Sequence, residues 1–177
     1  MTAAHDLPTL RDGDLTLRPS SGADVAALAA LLAEPEVQAW WGDTEEAEVR
    51  GMLAAQPCWT VVLDDAVCGW LLAEEEADEQ FPSVAFDIVL GAGARGRGLG
   101  RRVLALAIGH FIAAGHHRFT IDPAVTNARA IRCYEGLGFR PVGVLRAYER
   151  TPDGGWRDGL LMDLLAEEFT GPATQGP

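Results

Sequence analysis

From Leu15 to Arg18 the chain alternates apolar and polar residues, the two-residue period of a half-buried strand. The period then lengthens. Val25, Leu28, Ala29 and Leu32 stand at i, i+3, i+4 and i+7, which predicts an amphipathic helix that Pro35 stops. Val37 to Trp41 predict one further helical turn. Thr44 followed by Glu45, Glu46 and Glu48 reads as a helix start, a hydroxyl cap with acids near the positive helix end, and that helix should reach about Ala55. Two β-rich runs, Trp59–Leu63 and Val67–Leu72, flank Asp64-Asp65-Ala66 and predict a hairpin. A strand over Val84–Leu90, a helix-like run from Arg101 to Ala114 and a short strand Arg118–Ile121 follow, the last ended by Asp122-Pro123. A helix starting at Asn127 comes next. Phe139–Arg146 and Trp156–Leu165 then pair across the turn residues Thr151-Pro152-Asp153-Gly154-Gly155.

Composition narrows the class. The 177 residues suit one domain with a sizeable core, expected over 13–168, with flexible ends at 1–12 and 169–177. No apolar run approaches the ~18 residues of a membrane span, and no basic region followed by an apolar stretch opens the chain. Cys58, Cys68 and Cys133 make an odd count without metal-ligand spacing, which predicts buried thiols in a reducing cytoplasm and no metal site. His116-His117 reads as a surface turn. Charge is uneven: residues 1–93 hold eighteen acids and three bases, residues 94–177 eight acids and eleven bases, and every base is arginine. A net charge of −12 argues against nucleic acid. The acidic first half suits a cationic substrate, the basic second half an anionic one.

The anionic one has a candidate seat. Arg95-Gly96-Arg97-Gly98-Leu99-Gly100 lies between the strand ending at Leu90 and the helix running on from Arg101. A glycine-rich turn at a helix start exposes N–H groups that no helical carbonyl uses, and glycine lets an anion approach them closely. Arg95, Arg97, Arg101 and Arg102 add positive charge. Two phosphate-loop patterns fit. Gly91-Ala92-Gly93-Ala94-Arg95-Gly96 matches G-x-G-x-x-G, but that pattern wants an acidic residue about 20 positions on, and none occurs from Ala92 to Ile121. Arg95, Gly98 and Gly100 match R-x-x-G-x-G.

The second pattern resembles the acyl-CoA loop of the Gcn5-related N-acetyltransferases (GNAT). A second stretch, from Asn127 to Phe139, resembles that family's N-x-x-A-x-x-x-Y-x-x-x-G-F signature through Asn127, Ala130, Tyr134, Gly138 and Phe139. Asn127 would cap the helix, Ile131, Tyr134 and Leu137 would share one face, and Gly138 would end it in the left-handed region. The predicted element order also matches the family's over nearly the whole chain. The resemblance implies an α+β fold: a mixed sheet of about seven strands, splayed between the fourth and fifth, with about four flanking helices.

It further implies acetyl transfer from acetyl-CoA, without metal, to an amine of a small molecule, in a monomer or homodimer. By that likeness Ile88, Val89 and Leu90 contact the pantetheine arm. Arg95, Gly96, Arg97, Gly98, Leu99, Gly100 and Arg101, with Asn127, Arg129 and Tyr134, hold the cofactor. Tyr134 protonates the leaving thiolate, and Asp87 or Asp122 accepts the proton of the attacking ammonium. Within the family the chain looks most like the aminoglycoside 6′-N-acetyltransferases, through Trp40-Trp41-Gly42, Phe86-Asp87, Ile121-Asp122-Pro123 and the Asn127–Glu135 helix. Trp40, Trp41, Asp87 and Asp122 would then meet a polycationic antibiotic. Siderophore-type lysine N-acyltransferases share the N-x-R-A-I-R-C-Y helix. They carry an H-x-D histidine on the central strand, and none of His5, His110, His116 or His117 falls there. Two further classes stay open, a peptide N-terminal acetyltransferase and a non-catalytic homologue.

Overall fold

The sheet begins earlier than the hydrophobic pattern predicts. In the computed structural model, which describes residues 7–76 and 78–171, Leu10–Asp12 (β1) pairs antiparallel with Leu15–Pro19 (β2). The first strand therefore lies before residue 13. The remaining parts of the expected flexible ends, 1–6 with His5 and 172–177, lie outside the described residues. β1 is three residues long and mostly charged, too short to show a period. Arg102 holds it from outside the sheet, donating from Nε to Asp12 at 2.7 Å and from its terminal nitrogen to Asp14 at 2.7 Å.

Cys58–Leu63 (β3) and Ala66–Glu76 (β4) form the expected hairpin. Asp64 and Asp65 both sit at positive φ, 48° and 63°, which gives a two-residue turn the twist that antiparallel strands need. β4 runs four residues beyond Leu72, because Glu74–Glu76 pair with the start of Ser83–Leu90 (β5) although they look like a solvated charge run. Arg118–Ile121 (β6), Arg140–Arg150 (β7) and Trp156–Leu165 (β8) complete eight strands in the order β1-β2-β3-β4-β5-β6-β8-β7. All neighbours are antiparallel except β5 and β6.

Among the described residues five α-helices cover the sheet: Val25–Leu32 (α1), Pro35–Trp41 (α2), Glu46–Ala55 (α3), Leu99–Ala113 (α4) and Ala128–Glu135 (α5). α3 starts one residue later than Thr44 would set it. Glu45 is the cap, and its N–H donates to the Glu48 carboxylate at 2.8 Å. The apolar face of α4, with Val103, Leu104, Ala107, Ile108 and Phe111, joins Leu15, Leu17, Val61, Leu71 and Phe86 in the larger core. Val25, Leu28 and Leu32 of α1, Val37 of α2 and Val49 of α3 pack with Trp70, Leu72 and Val89 in a second core. The odd-numbered residues of β5 thus share a face with α1, α2 and α3. Asp24, 4% exposed, anchors that corner through a two-armed pair with Arg18 at 2.5 and 2.8 Å. Among the described residues no helix is long and apolar enough to cross a membrane.

Candidate active site

β5 and β6 are paired only at Val84↔Phe119 and Ala85↔Thr120. β5 continues to Leu90 against β4, while β6 stops at Ile121. From Phe86 to Leu90 one edge of β5 is therefore free of any strand partner, and the sheet opens into a notch. This is the expected splay between the fourth and fifth predicted strands; β1 shifts their numbers by one. The parallel register carries Asp87 level with Asp122, two residues past the last paired positions on each strand and on the same face. Two carboxylates are thus set side by side where the ladder ends.

The glycine turn closes one end of the notch. Gly96 and Gly98 sit at φ 74° and 75°, in the left-handed region, and a Cβ at either would meet nothing within 4 Å. The space in front of them is open. The N–H groups of Gly96, Arg97, Gly98, Leu99 and Gly100 have no backbone acceptor among the described residues, and α4 starts at Leu99. Consecutive free donors at the positive end of a fifteen-residue helix form an anion cradle. A cavity of about 340 Å³ runs from this cradle along Ile88, Val89 and Leu90. Arg101, Asn127, Arg129, Arg132, Cys133 and Tyr134 also line it. Asn127 caps α5, accepting from the Ala130 N–H at 3.2 Å, and Gly138 ends that segment at φ 102°.

Two of the expected phosphate-side arginines are occupied elsewhere. Arg95 donates from Nε to the Leu90 carbonyl at 2.7 Å, and from its two terminal nitrogens to Glu34 at 2.6 Å and to Glu36. Arg102 serves β1. The side chain of Arg95 is 11% exposed and its donor nitrogens are engaged by these partners, while the residue still lines the cavity. Arg97 is exposed and is not among the residues lining the cavity. His116 departs from the surface turn expected for it: it is 10% exposed and lies 3.0 Å from the Glu75 carboxylate.

A second cavity, about 410 Å³, adjoins the first. Trp40, Trp41, Ile88, Asn127 and Tyr134 line both. Glu74, Asp87, Asp122 and Glu149 bring four carboxylates to the second one. Asp87 is exposed to the open cavity, and its carboxyl, set between the cavity walls, is partly desolvated there. That desolvation, reinforced by the charges of Asp122, Glu74 and Glu149, pushes its pKa up to about 6. Burial also raises Asp122, partly offset by a hydrogen bond from the Tyr148 hydroxyl at 2.7 Å. The same bond, with burial, moves Tyr148 up to about 12. Tyr134, 8% exposed, is held well above the usual phenol range by burial first and then by the charges of Cys133, Asp87 and Asp122.

Tyr148, Glu149 and Arg157 escape a reading of the sequence. Leu145 pairs with Gly159 and Glu149 with Arg157, so β7 carries two extra residues in a bulge. Ala147 takes φ 48° there, its N–H donating to Asp158 at 2.7 Å. The bulge turns Tyr148 toward Asp122. Its ring lies over Gly159, where a Cβ would approach it to 2.9 Å. Arg157 pairs with Glu149 at 2.7 Å, donates to the Ala39 carbonyl at 2.8 Å and to the Trp40 carbonyl, and stacks on the Trp40 ring at 5.3 Å. The usable signal is the Tyr-Glu pair just past the predicted strand Phe139–Arg146, which β7 extends to Arg150, but the bulge that aims it is not visible in a two-residue period.

Comparison with known proteins bears on this geometry. The sequence profile of the "Acetyltransferase (GNAT) domain" matches residues 14–140. The chain is 27% identical over 173 residues to the aminoglycoside N(6′)-acetyltransferase type 1 of Klebsiella pneumoniae, covering 85% of this chain and 84% of that one. Among solved structures, Mycobacterium smegmatis RimJ in complex with CoA-disulfide superposes with a TM-score of 0.80 at 23% identity, over 94% of this chain and 90% of that one. Spermidine N-acetyltransferase from Vibrio cholerae, in complex with CoA and spermine, gives 0.77 at 21% identity, over 89% and 98%.

Proposed function

Since the chain belongs to the GNAT acetyltransferase family, we propose that it moves the acetyl group of acetyl-CoA to a primary amine of a polycationic small molecule, the 6′-amine of an aminoglycoside being the favoured acceptor. The observation that carries this reading is the adjoining pair of cavities. One is headed by free backbone N–H groups and rimmed by Arg101, Arg129 and Arg132; the other is lined by four carboxylates. An anion with a long arm fits the first, a molecule with several ammonium groups the second.

The residues present suit the donor. The cradle at Gly96–Gly100 takes its phosphates, and the free edge of β5 at Ile88–Leu90 offers backbone groups to its amide-bearing arm. Acetyl-CoA supplies an activated acyl group on a thioester. The chain supplies the proton handling. An ammonium cannot attack a carbonyl, and a carboxylate with a pKa of about 6 is poised to accept its proton near neutrality. Asp87 fills that role. Asp122, held by Tyr148, stays as an ionic anchor for a second ammonium. Tyr134 stands where the cavities meet, kept protonated by its buried setting, and holds at Oη the proton that the departing sulfur needs. Trp40 and Trp41 offer flat faces to a sugar ring.

A thiol-release assay with acetyl-CoA tests the proposal. Kanamycin, with its 6′-amine, should be turned over, and an analogue bearing a 6′-hydroxyl should not. Turnover of an alanine-terminated peptide or a lysine derivative in place of every aminoglycoside would refute the acceptor class while leaving the donor assignment standing.

A further inference from the structure

α2 is seven residues long, too short to hold itself together in water, yet it forms the wall common to both cavities through Trp40 and Trp41. Val37 gives it one buried apolar anchor. Trp41 packs against the second core as well, and polar support comes from two further directions. At its start, Glu34 is the cap residue, with extended backbone, and its carboxylate reaches over the entrance of the glycine turn. There it accepts from the Ala92 N–H at 2.8 Å and from Arg95 at 2.6 Å. Glu36, in the first turn of the helix, takes the other arm of Arg95. At its end, the Ala39 and Trp40 carbonyls, which have no partner further along the helix, accept from Arg157 of β8.

The N-terminal strap is the informative one. Arg95 is the first residue of the turn whose next five N–H groups form the cradle, and its Nε also holds the last residue of β5. A movement of the turn on filling with phosphate is passed by one nearly buried guanidinium to Glu34 and Glu36, and by the helix to Trp40 and Trp41. The head of the donor cavity and the wall of the acceptor cavity thus hang on the same side chain. We infer that Arg95 is a positioning residue: it makes the acceptor wall respond to donor binding. It does not itself grip phosphate. Donor and acceptor affinities are then linked, and the linkage is reciprocal. This inference rests on the donor-site assignment above.

The test separates coupling from simple affinity. CoA binding is measured by titration calorimetry, and amide hydrogen exchange of residues 35–41 is followed with and without CoA, in the wild type, Arg95→Met and Glu34→Gln. Glu34 lines neither cavity, so its variant cuts the strap without touching the cradle. In the wild type CoA should slow exchange across α2 by about fivefold or more, the scale of a modest coupling. In Glu34→Gln CoA should still bind within about threefold of wild type, and in both variants the slowing across α2 should vanish. Loss of about tenfold or more in CoA affinity in Arg95→Met, with α2 in Glu34→Gln still responding to CoA, would make Arg95 a phosphate ligand and overturn the inference. An α2 in the wild type that ignores bound CoA would overturn it too. A wild type that does not bind CoA at all would remove the donor assignment beneath it, an outcome that calorimetry shows by itself. Thermal melts of both variants show whether either has simply lost its fold.

Discussion

The two cavities are built in opposite ways. The proposed donor cavity is made of two continuous stretches, 88–101 and 127–134, closed by one face of α2, and its chief chemical groups are main-chain N–H donors. The proposed acceptor cavity gathers side chains from six places: Trp40 and Trp41, Glu74, Asp87, Asp122, Asn127 with Tyr134, and the Tyr148–Arg157 hairpin. A site made of backbone has few ways to vary, because its function depends on where glycine is tolerated. A site made of distant side chains can change one member at a time. The contrast predicts a sharp response to mutation in the first and a graded one in the second.

The sharpest break should come at Gly98. Any side chain there is strained at φ 75°, and a carboxylate would project into the open space before the cradle. Gly98→Glu should reduce CoA affinity by about 10³-fold or more in calorimetry, with the circular dichroism spectrum intact. A folded Gly98→Glu protein with near-normal affinity would mean that the main-chain donors are not the anion site.

Asp87→Asn should come next, with a loss of about 10³-fold in kcat/KM, since it removes both a base and a charge. Its pH dependence is more specific. With a pKa of about 6, wild-type activity should climb as pH rises through 6, and the variant should lack that limb. The stability effect has the opposite sign. A carboxyl whose folded pKa lies above its unfolded value opposes folding once pH exceeds both, and this penalty disappears as pH falls toward 4. Asp87→Asn should therefore melt higher than wild type at pH 8 and equal to it near pH 4. Equal melting at both would mean that the Asp87 pKa is not raised.

Tyr134→Phe keeps the ring and removes the proton donor. It should lower kcat by about 10²-fold with little change in CoA affinity. Normal turnover, with chemistry shown to be the slow step, would leave Tyr134 as packing between Phe139 and the larger core. The smallest effect belongs to Tyr148→Phe. It removes one hydrogen bond from a half-exposed tyrosine to Asp122 and should raise the acceptor KM by about fivefold, roughly 1 kcal/mol. A loss as large as that of Asp87→Asn would erase the graded character of this cavity.

The same contrast governs what can be read from the sequence. The glycine turn, the Asn127 cap, Gly138 and the order of strands and helices are local signals, and the structure places them as their spacing predicts. The tyrosine–aspartate contact is not local. It depends on a bulge that aims a side chain across 26 positions of sequence. Arg95 shows the limit most clearly. Its motif position suggests a phosphate ligand, but its partners Glu34 and Glu36 lie 61 and 59 residues away, and only the folded chain brings them to it. Arg102 likewise reaches Asp12 across 90 positions, and in doing so fixes an edge strand too short to announce itself. The acidic run Glu74–Glu76 misleads in the other direction: charge on a strand that extends beyond the core looks like a loop.

The straps at Arg95, Arg102 and Arg157 are all guanidinium groups, and the chain has fourteen arginines and no lysine. For an enzyme that acetylates amines, that choice has a chemical consequence. A lysine at 157, which lines the acceptor cavity, would set a second nucleophile near an activated thioester, and any fraction losing its proton would compete with the intended acceptor. Its acetylation would also cancel the charge that holds α2 in place. Arginine stays protonated throughout the working range and offers no such nitrogen. The framework that holds the two cavities together is thereby protected from side-chain self-acetylation.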